Sequence, residues 1–193
     1  GKVSDRKLRL FAVACCQQIW DRVTDERSRT SVAVAERFAD GLATPTELLR
    51  ACHAAFDVST ALAGTGGATW AAASACASTS HPDIALRIRG NGGIAWTAAY
   101  RAKSGPRLRQ CELLRDIVAN PFRPVTVDPI WLTSNVAALA KRFYDERAFD
   151  SLPILADALE DAGCTNADVL GHCRVDGVHV RGCWLIDLLL QKE

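Results

Sequence analysis

Residues 145–173, DERAFDSLPILADALEDAGCTNADVLGHC, read as a helix, a tight turn and a second helix. Asp150 is placed to cap the first helix, and Pro153 falls in its opening turn, where a missing amide donor is tolerated. Gly163 ends that helix, because glycine enters the left-handed conformation without steric cost. Thr165-Asn166-Ala167-Asp168 then starts the next one. Residues 25–52 echo this unit. Asp25-Glu26-Arg27 answers Asp145-Glu146-Arg147, and Ser31 answers Ser151. After a one-residue shift, Thr44 answers Thr165, Leu49 answers Leu170 and Cys52 answers Cys173. Residues 14–20 and 138–144 align loosely as well, which extends the repeat to about 14–52 and 138–173. Helix–turn–helix grammar alone places capping residues at matching points. It does not require paired Asp-Glu-Arg triplets or paired cysteines. A short stacked array of helical hairpins and a plain helical bundle are therefore the two all-α architectures expected.

Upstream of this unit, residues 120–131 hold three of the seven prolines, Pro121, Pro124 and Pro129, and cannot be regular. The expectation is a single domain, 1–193, whose halves 1–119 and 132–193 are joined by this crossover, with Phe122 and Trp131 as apolar pegs that hold it to the core. Val136, Leu139 and Phe143 mark the helix after it, and Trp184, Leu185, Leu188 and Leu189 a final one. Near the start, Leu8, Phe11, Cys15 and Ile19 fall at helical spacing, with Ser4 as cap and Arg6, Lys7, Arg9, Gln17 and Gln18 outside the stripe. Val32, Ala35, Phe38 and Leu42 define the next helix, which Gly41 ends. Thr44-Pro45-Thr46-Glu47 is a complete start signal, and Leu49, Cys52, Phe56 and Ser59 follow on one face. Residues 61–79 are mostly small, which lets a helix approach its neighbours closely. IALRIR, 84–89, reads as helix in preference to a short hairpin, and 94–103 as helix with Trp96, Ala99 and Tyr100 on one side. Leu108, Cys111, Leu114 and Val118 define a strong helix between Gly105-Pro106 and Asn120-Pro121. In all, eight to ten helices are expected.

The runs CELLRDI (111–117), NPFRP (120–124), LPILADAL (152–159) and VRGCW (180–184) resemble an uncharacterised family of bacterial proteins, over roughly residues 3–60 and 108–192. The resemblance implies a helical, intracellular protein. It brings no activity, cofactor or catalytic residue with it.

Composition narrows the class. The 193 residues are 49% hydrophobic and 23% charged, which is too apolar for disorder and enough for a sizeable core. A net charge of +1 gives no global pull towards nucleic acid or a membrane surface. No run approaches 18 apolar residues, so no membrane span is expected. Eight cysteines in a chain of this size read as reduced, small core residues, and the adjacent Cys15 and Cys16 diverge on a helix. These points suggest a cytoplasmic protein.

The densest metal-capable cluster is Cys164, His172, Cys173, His179 and Cys183. His179-x-x-x-Cys183 has a spacing that zinc sites use. Helical residues between Cys164 and Cys173 would set them about 13 Å apart, too far to share one ion. His172 and Cys173 are helix neighbours and point apart. Cys173, His179 and Cys183 remain, without a fourth ligand nearby, so no metal and no other cofactor is expected. Cys52-His53 are adjacent and do not face each other, and Asp145, Glu146 and Asp150 sit beside Arg142 and Arg147 as helix-end salt links. No catalytic residue is assigned. No nucleophile elbow, phosphate loop or metalloprotease helix is present.

Charge is segregated. No acid lies between Asp83 and Glu112, an interval holding Arg87, Arg89, Arg101, Lys103, Arg107 and Arg109 with Trp96 and Tyr100 among them. From Asp145 to Asp168 seven acids stand against Arg147 alone. The expected function is a non-enzymatic interaction or scaffold module, binding a protein partner or its own copies through such opposed segments. The alternative is binding of nucleic acid or another polyanion within 87–109, through Arg87, Arg89, Gly92, Gly93, Trp96, Arg101 and Lys103. The Gly90–Gly93 amides would open to an anion while the aromatics stack. An enzyme of unrecognised type is the third reading.

Overall fold

The structure is a computed structural model, and it describes residues 3–65, 67–89 and 106–192. These residues form ten α-helices and no strand. The chain divides into two compact units, Lys2–Cys111 and Glu112–Glu193. The helix expected over 94–103 lies outside the described residues.

The first unit is built on α1 (Asp5–Gln17), α2 (Glu26–Ala39), α3 (Pro45–Ala61), α4 (Ala68–Thr79) and α5 (Ile84–Arg89). Their ends are local chemistry. The Ser4 hydroxyl accepts from the Lys7 amide at 3.3 Å, and Asp25 caps α2 through the Arg27 amide. Thr44 and Glu47 make the full reciprocal capping box, with Pro45 at the first helical position. Gly41, at φ +72°, ends α2 in the left-handed conformation while Leu42 N–H returns to the Arg37 carbonyl at 2.8 Å. The segment 84–89 is helical, not a hairpin strand.

At the centre lies α4. Ala71, Ala72, Ala73, Ala75, Cys76 and Ala77 are all buried, and α1, α2, α3 and α5 pack on it. Small side chains all round make that close approach feasible, and α4 in turn decides which face its neighbours bury. On α3 the buried residues are Leu48, Ala51, Cys52, Ala55, Val58 and Ser59, whereas Leu49 and Phe56 are 42% and 54% exposed. Cys52 and Ser59 of the expected face are inside as expected, and the face is rotated away from Leu49 and Phe56 by less than one residue. Leu42, expected on the α2 stripe, is 63% exposed. Arg9, expected outside the α1 stripe, is buried. Its guanidinium donates to the carbonyls of Thr79, His81 and Pro82 at 2.8, 2.9 and 3.2 Å, closing the C-terminal end of α4.

The boundary between units falls within α6 (Pro106–Ile117), earlier than the crossover expected to join the halves. On α6 the buried apolar residues are Leu113 and Ile117, while Cys111 and Leu114 are exposed, another rotation of the expected face. The second unit continues with α7 (Ser134–Glu146), α8 (Leu152–Asp161), α9 (Ala167–Arg174) and α10 (Trp184–Leu189). Val136, Phe143, Leu155, Leu159, Val169 and Ile186 are among its core residues. Thr133 caps α7, and Asn166 caps α9 through the amides of Asp168 and Val169. Asp150 does not cap α8. It sits in the 3-10 turn Phe149–Ser151 that precedes the helix, and the cap position is Ser151.

The segment 120–131 packs on this second core through Val125, Val127 and Trp131. Trp131 is a peg, as expected, but Phe122 is 90% exposed and its role passes to the two valines. The two Asp-Glu-Arg triplets occupy opposite ends of helices. Asp25 opens α2, whereas Asp145 and Glu146 close α7 and Arg147 follows at φ 56°. The later part of the echo is closer. Gly41 and Gly163, both at positive φ, each end a helix, and a capped helix bearing a buried cysteine follows, with Cys52 on α3 and Cys173 on α9. No helix among the described residues is long and apolar enough to cross a membrane.

Candidate functional site

The second unit gathers four side chains that sequence reasoning did not assemble. Asp116 lies in the last turn of α6, His172 in the last turn of α9, His179 in the irregular segment after it, and Cys183 at the cap position of α10. Each offers one ligand-type atom, and the four atoms lie within 4.8 Å of one another. Asp116 Oδ1 is 2.7 Å from His179 Nδ1 and 3.4 Å from His172 Nε2, and His172 Nε2 is 3.1 Å from Cys183 Sγ. The imidazoles meet edge to face at 4.8 Å.

A second tier of contacts holds these groups. The Val180 amide donates to Asp116 Oδ2 at 3.0 Å, which turns Oδ1 towards the histidines. The Trp184 indole N–H donates to His172 Nδ1 at 3.2 Å, so the proton of a neutral His172 resides on Nε2, facing Asp116 and Cys183. His179 Nε2 is buried and has no hydrogen-bond partner. The site is closed. Asp116 and Cys183 are 4% and 0% exposed, and the two histidine side chains 15% and 10%.

Burial acts on both acids, with opposite outcomes. It pulls the Asp116 carboxyl up, but hydrogen bonds from His172, His179 and the Val180 amide outweigh it and hold the group below the usual carboxylate range. Burial, and next the charge on Asp116, push the Cys183 thiol well up. Cys183 is fully buried, so its sulfur faces only protein. What the arrangement offers is coordination, with two imidazole nitrogens, one carboxylate oxygen and one sulfur converging on a point.

His179 and Cys183 were among the candidate ligands read from the sequence, and they do converge. Their companion is His172 in place of Cys173, whose thiol turns into the core, where burial pushes it up to about 12. Asp116 was missed. Its signal is an acid next to Ile117 and three residues after Leu113, on the face α6 buries, whereas the apolar spacing points to the face of Leu114.

Of the residues expected to hold a polyanion, Arg87 is exposed on α5 and Arg89 ends that helix. Gly92, Gly93, Trp96, Arg101 and Lys103 lie outside the described residues. The acidic stretch is offset within its own unit. Lys141 pairs with Asp145, Arg142 with Glu146 at 3.0 Å, Arg174 with Asp157 at 3.0 Å and with Glu160, and Arg123 with Asp168 at 3.6 Å. Cys52 is buried, and its neighbour His53 is exposed. No protein-family model, curated protein or solved structure matches the chain.

Proposed function

We propose that the chain is a non-enzymatic helical interaction module that docks through its 120–131 crossover. One observation carries this reading. The crossover is tied down by Val125, Val127 and Trp131, yet presents Phe122 and Ile130 outward at 90% and 67% exposure. Among the large apolar side chains of the described residues, these two are the most exposed. Fully burying a Phe or Ile side chain is worth about 1.5–3 kcal/mol, so a partner covering both residues gains roughly 3–6 kcal/mol against the cost of association. The closure of the Asp116–Cys183 cluster argues in the same direction, since it leaves no reachable reactive group there. The local pairing of the acidic stretch shifts the expected contact from opposed charges to apolar surface.

The first partner to test is a second copy. Light scattering on a sizing column, over a hundredfold range of concentration, compares the wild-type chain with a Phe122→Ser, Ile130→Ser double variant. Association of the wild type, lost in the variant at unchanged helicity, supports the reading. A wild type that stays monomeric, together with a variant that retains every partner the wild type captures from its native host, refutes it.

A further inference from the structure

From the same four side chains we infer that Asp116, His172, His179 and Cys183 form a closed, structural metal site whose donor set suits zinc(II). The geometry is the first reason. Zinc holds nitrogen and oxygen at about 2.0–2.1 Å and sulfur at about 2.3 Å, so tetrahedral ligands stand roughly 3.3–3.6 Å from one another. The separations of 3.1 and 3.4 Å around His172 Nε2 are already close to that spacing. The 2.7 Å contact between Asp116 and His179 is a hydrogen bond that opens slightly when an ion replaces the shared proton.

Charge is the second reason. Asp116 carries a buried negative charge, and Cys183 supplies another once its proton leaves. Two neutral imidazoles add none, so a dication makes the set neutral in a place with almost no access to water. A dication among the four reverses the sign of the local field, and a coordinated thiol gives up its proton. Mixed nitrogen, oxygen and sulfur donors in a tetrahedral arrangement suit zinc better than magnesium or calcium, which favour oxygen and higher coordination.

Position is the third. His179 lies within, and Cys183 directly follows, the irregular run from Val175 to Gly182, which lacks a helical ladder of its own. An ion bound by them, by the end of α6 and by the end of α9 pins that run from both sides. Four protein ligands complete the tetrahedron and leave no open position, as in structural and not catalytic sites. The Trp184 indole reports on loading. It donates to His172 Nδ1 in this structure, whereas a neutral His172 bound to metal through Nε2 carries its proton on Nδ1, and the indole N–H loses its acceptor.

The test uses the full chain, stripped with a chelator and titrated with zinc against a chromophoric competitor. One zinc per chain is expected, with Cys183→Ser and Asp116→Asn each weakening binding about 100-fold or more and Cys173→Ser leaving stoichiometry unchanged. Two readouts on the wild type need no variant to fold. Cobalt(II) should give the intense visible bands of a tetrahedral ion together with a thiolate-to-metal charge-transfer band. The Trp184 indole amide, identified in the nitrogen–proton spectrum with Trp184→Phe, should shift on zinc addition. No binding at micromolar free zinc, an octahedral cobalt spectrum without thiolate, or equal binding by Cys183→Ser and Asp116→Asn overturns the assignment and leaves the cluster a hydrogen-bonded acid–imidazole network.

Discussion

Replacing Arg9 by methionine tests whether a buried cation holds the first unit together. Arg9 is 2% exposed, its guanidinium lies 5.1 Å from the centroid of the Phe38 ring, and its three hydrogen bonds satisfy carbonyls at the end of α4 and just past it. Bonds from a charged donor contribute about 1.5–3 kcal/mol each, a gross gain of roughly 5–9 kcal/mol, but taking the charge out of water offsets several kcal/mol of it. Burial is indeed the main influence on this group, and it lowers its basicity. The net contribution of the arginine is therefore small, and the cost of removing it lies in the acceptors left behind. His81 and Pro82 are partly exposed, so water can reach their carbonyls; Thr79 is fully buried and its carbonyl keeps no partner outside the helix. One stranded acceptor at about 1–3 kcal/mol, plus two weakened ones, gives a loss of about 2–4 kcal/mol for Arg9→Met. Arg9→Lys keeps the charge but not the fork, and should lose about half as much. Amide hydrogen exchange read at α4 follows this unit directly, with urea denaturation of the whole chain beside it. An Arg9→Met chain within about 0.5 kcal/mol of wild type, the range of ordinary surface changes, refutes the account.

Seven of the eight thiols are buried and Cys111 is exposed, so a maleimide should modify one cysteine rapidly in the native chain and all eight after denaturation; two or more fast sites would contradict the packing. Hydrogen bonds from the Thr44 amide, and next from its hydroxyl, hold the Glu47 carboxyl below its usual range. A depressed folded value means the contribution is complete above the unfolded value of about 4.3 and fades as pH falls through the folded one. Glu47→Ala should then be less stable than wild type at neutral pH, with the gap in melting temperature closing in acid; a gap that widens on acidification reverses the sign and rejects the capping box.

Several helix ends were legible from the chain itself, though Asp150 was not the cap expected of it. Ser4, Thr44 with Glu47, and Asn166 cap through bonds that span two or three residues, and Gly41 and Gly163 need only their own positive φ. Such interactions are complete within one turn, so they hold whatever the rest of the chain does. The buried faces were not local in this sense. Leu49 and Phe56 are the more apolar pair on α3, but α4 offers an alanine surface, and the smaller Ala51, Ala55 and Val58 allow the closer approach. The same dependence on a neighbour put Leu113 and Ile117 inside on α6 and Leu114 outside. It also buried Arg9, whose acceptors lie 70 or more residues away. The Asp116 cluster is the extreme case. His172, His179 and Cys183 share one short stretch, but Asp116 stands 63 residues before His179. What brings a carboxylate to two imidazoles over that distance is the meeting of the end of α6 with the 172–180 stretch of its own unit, and such a meeting depends on whole surfaces, which no pattern of neighbouring residues contains.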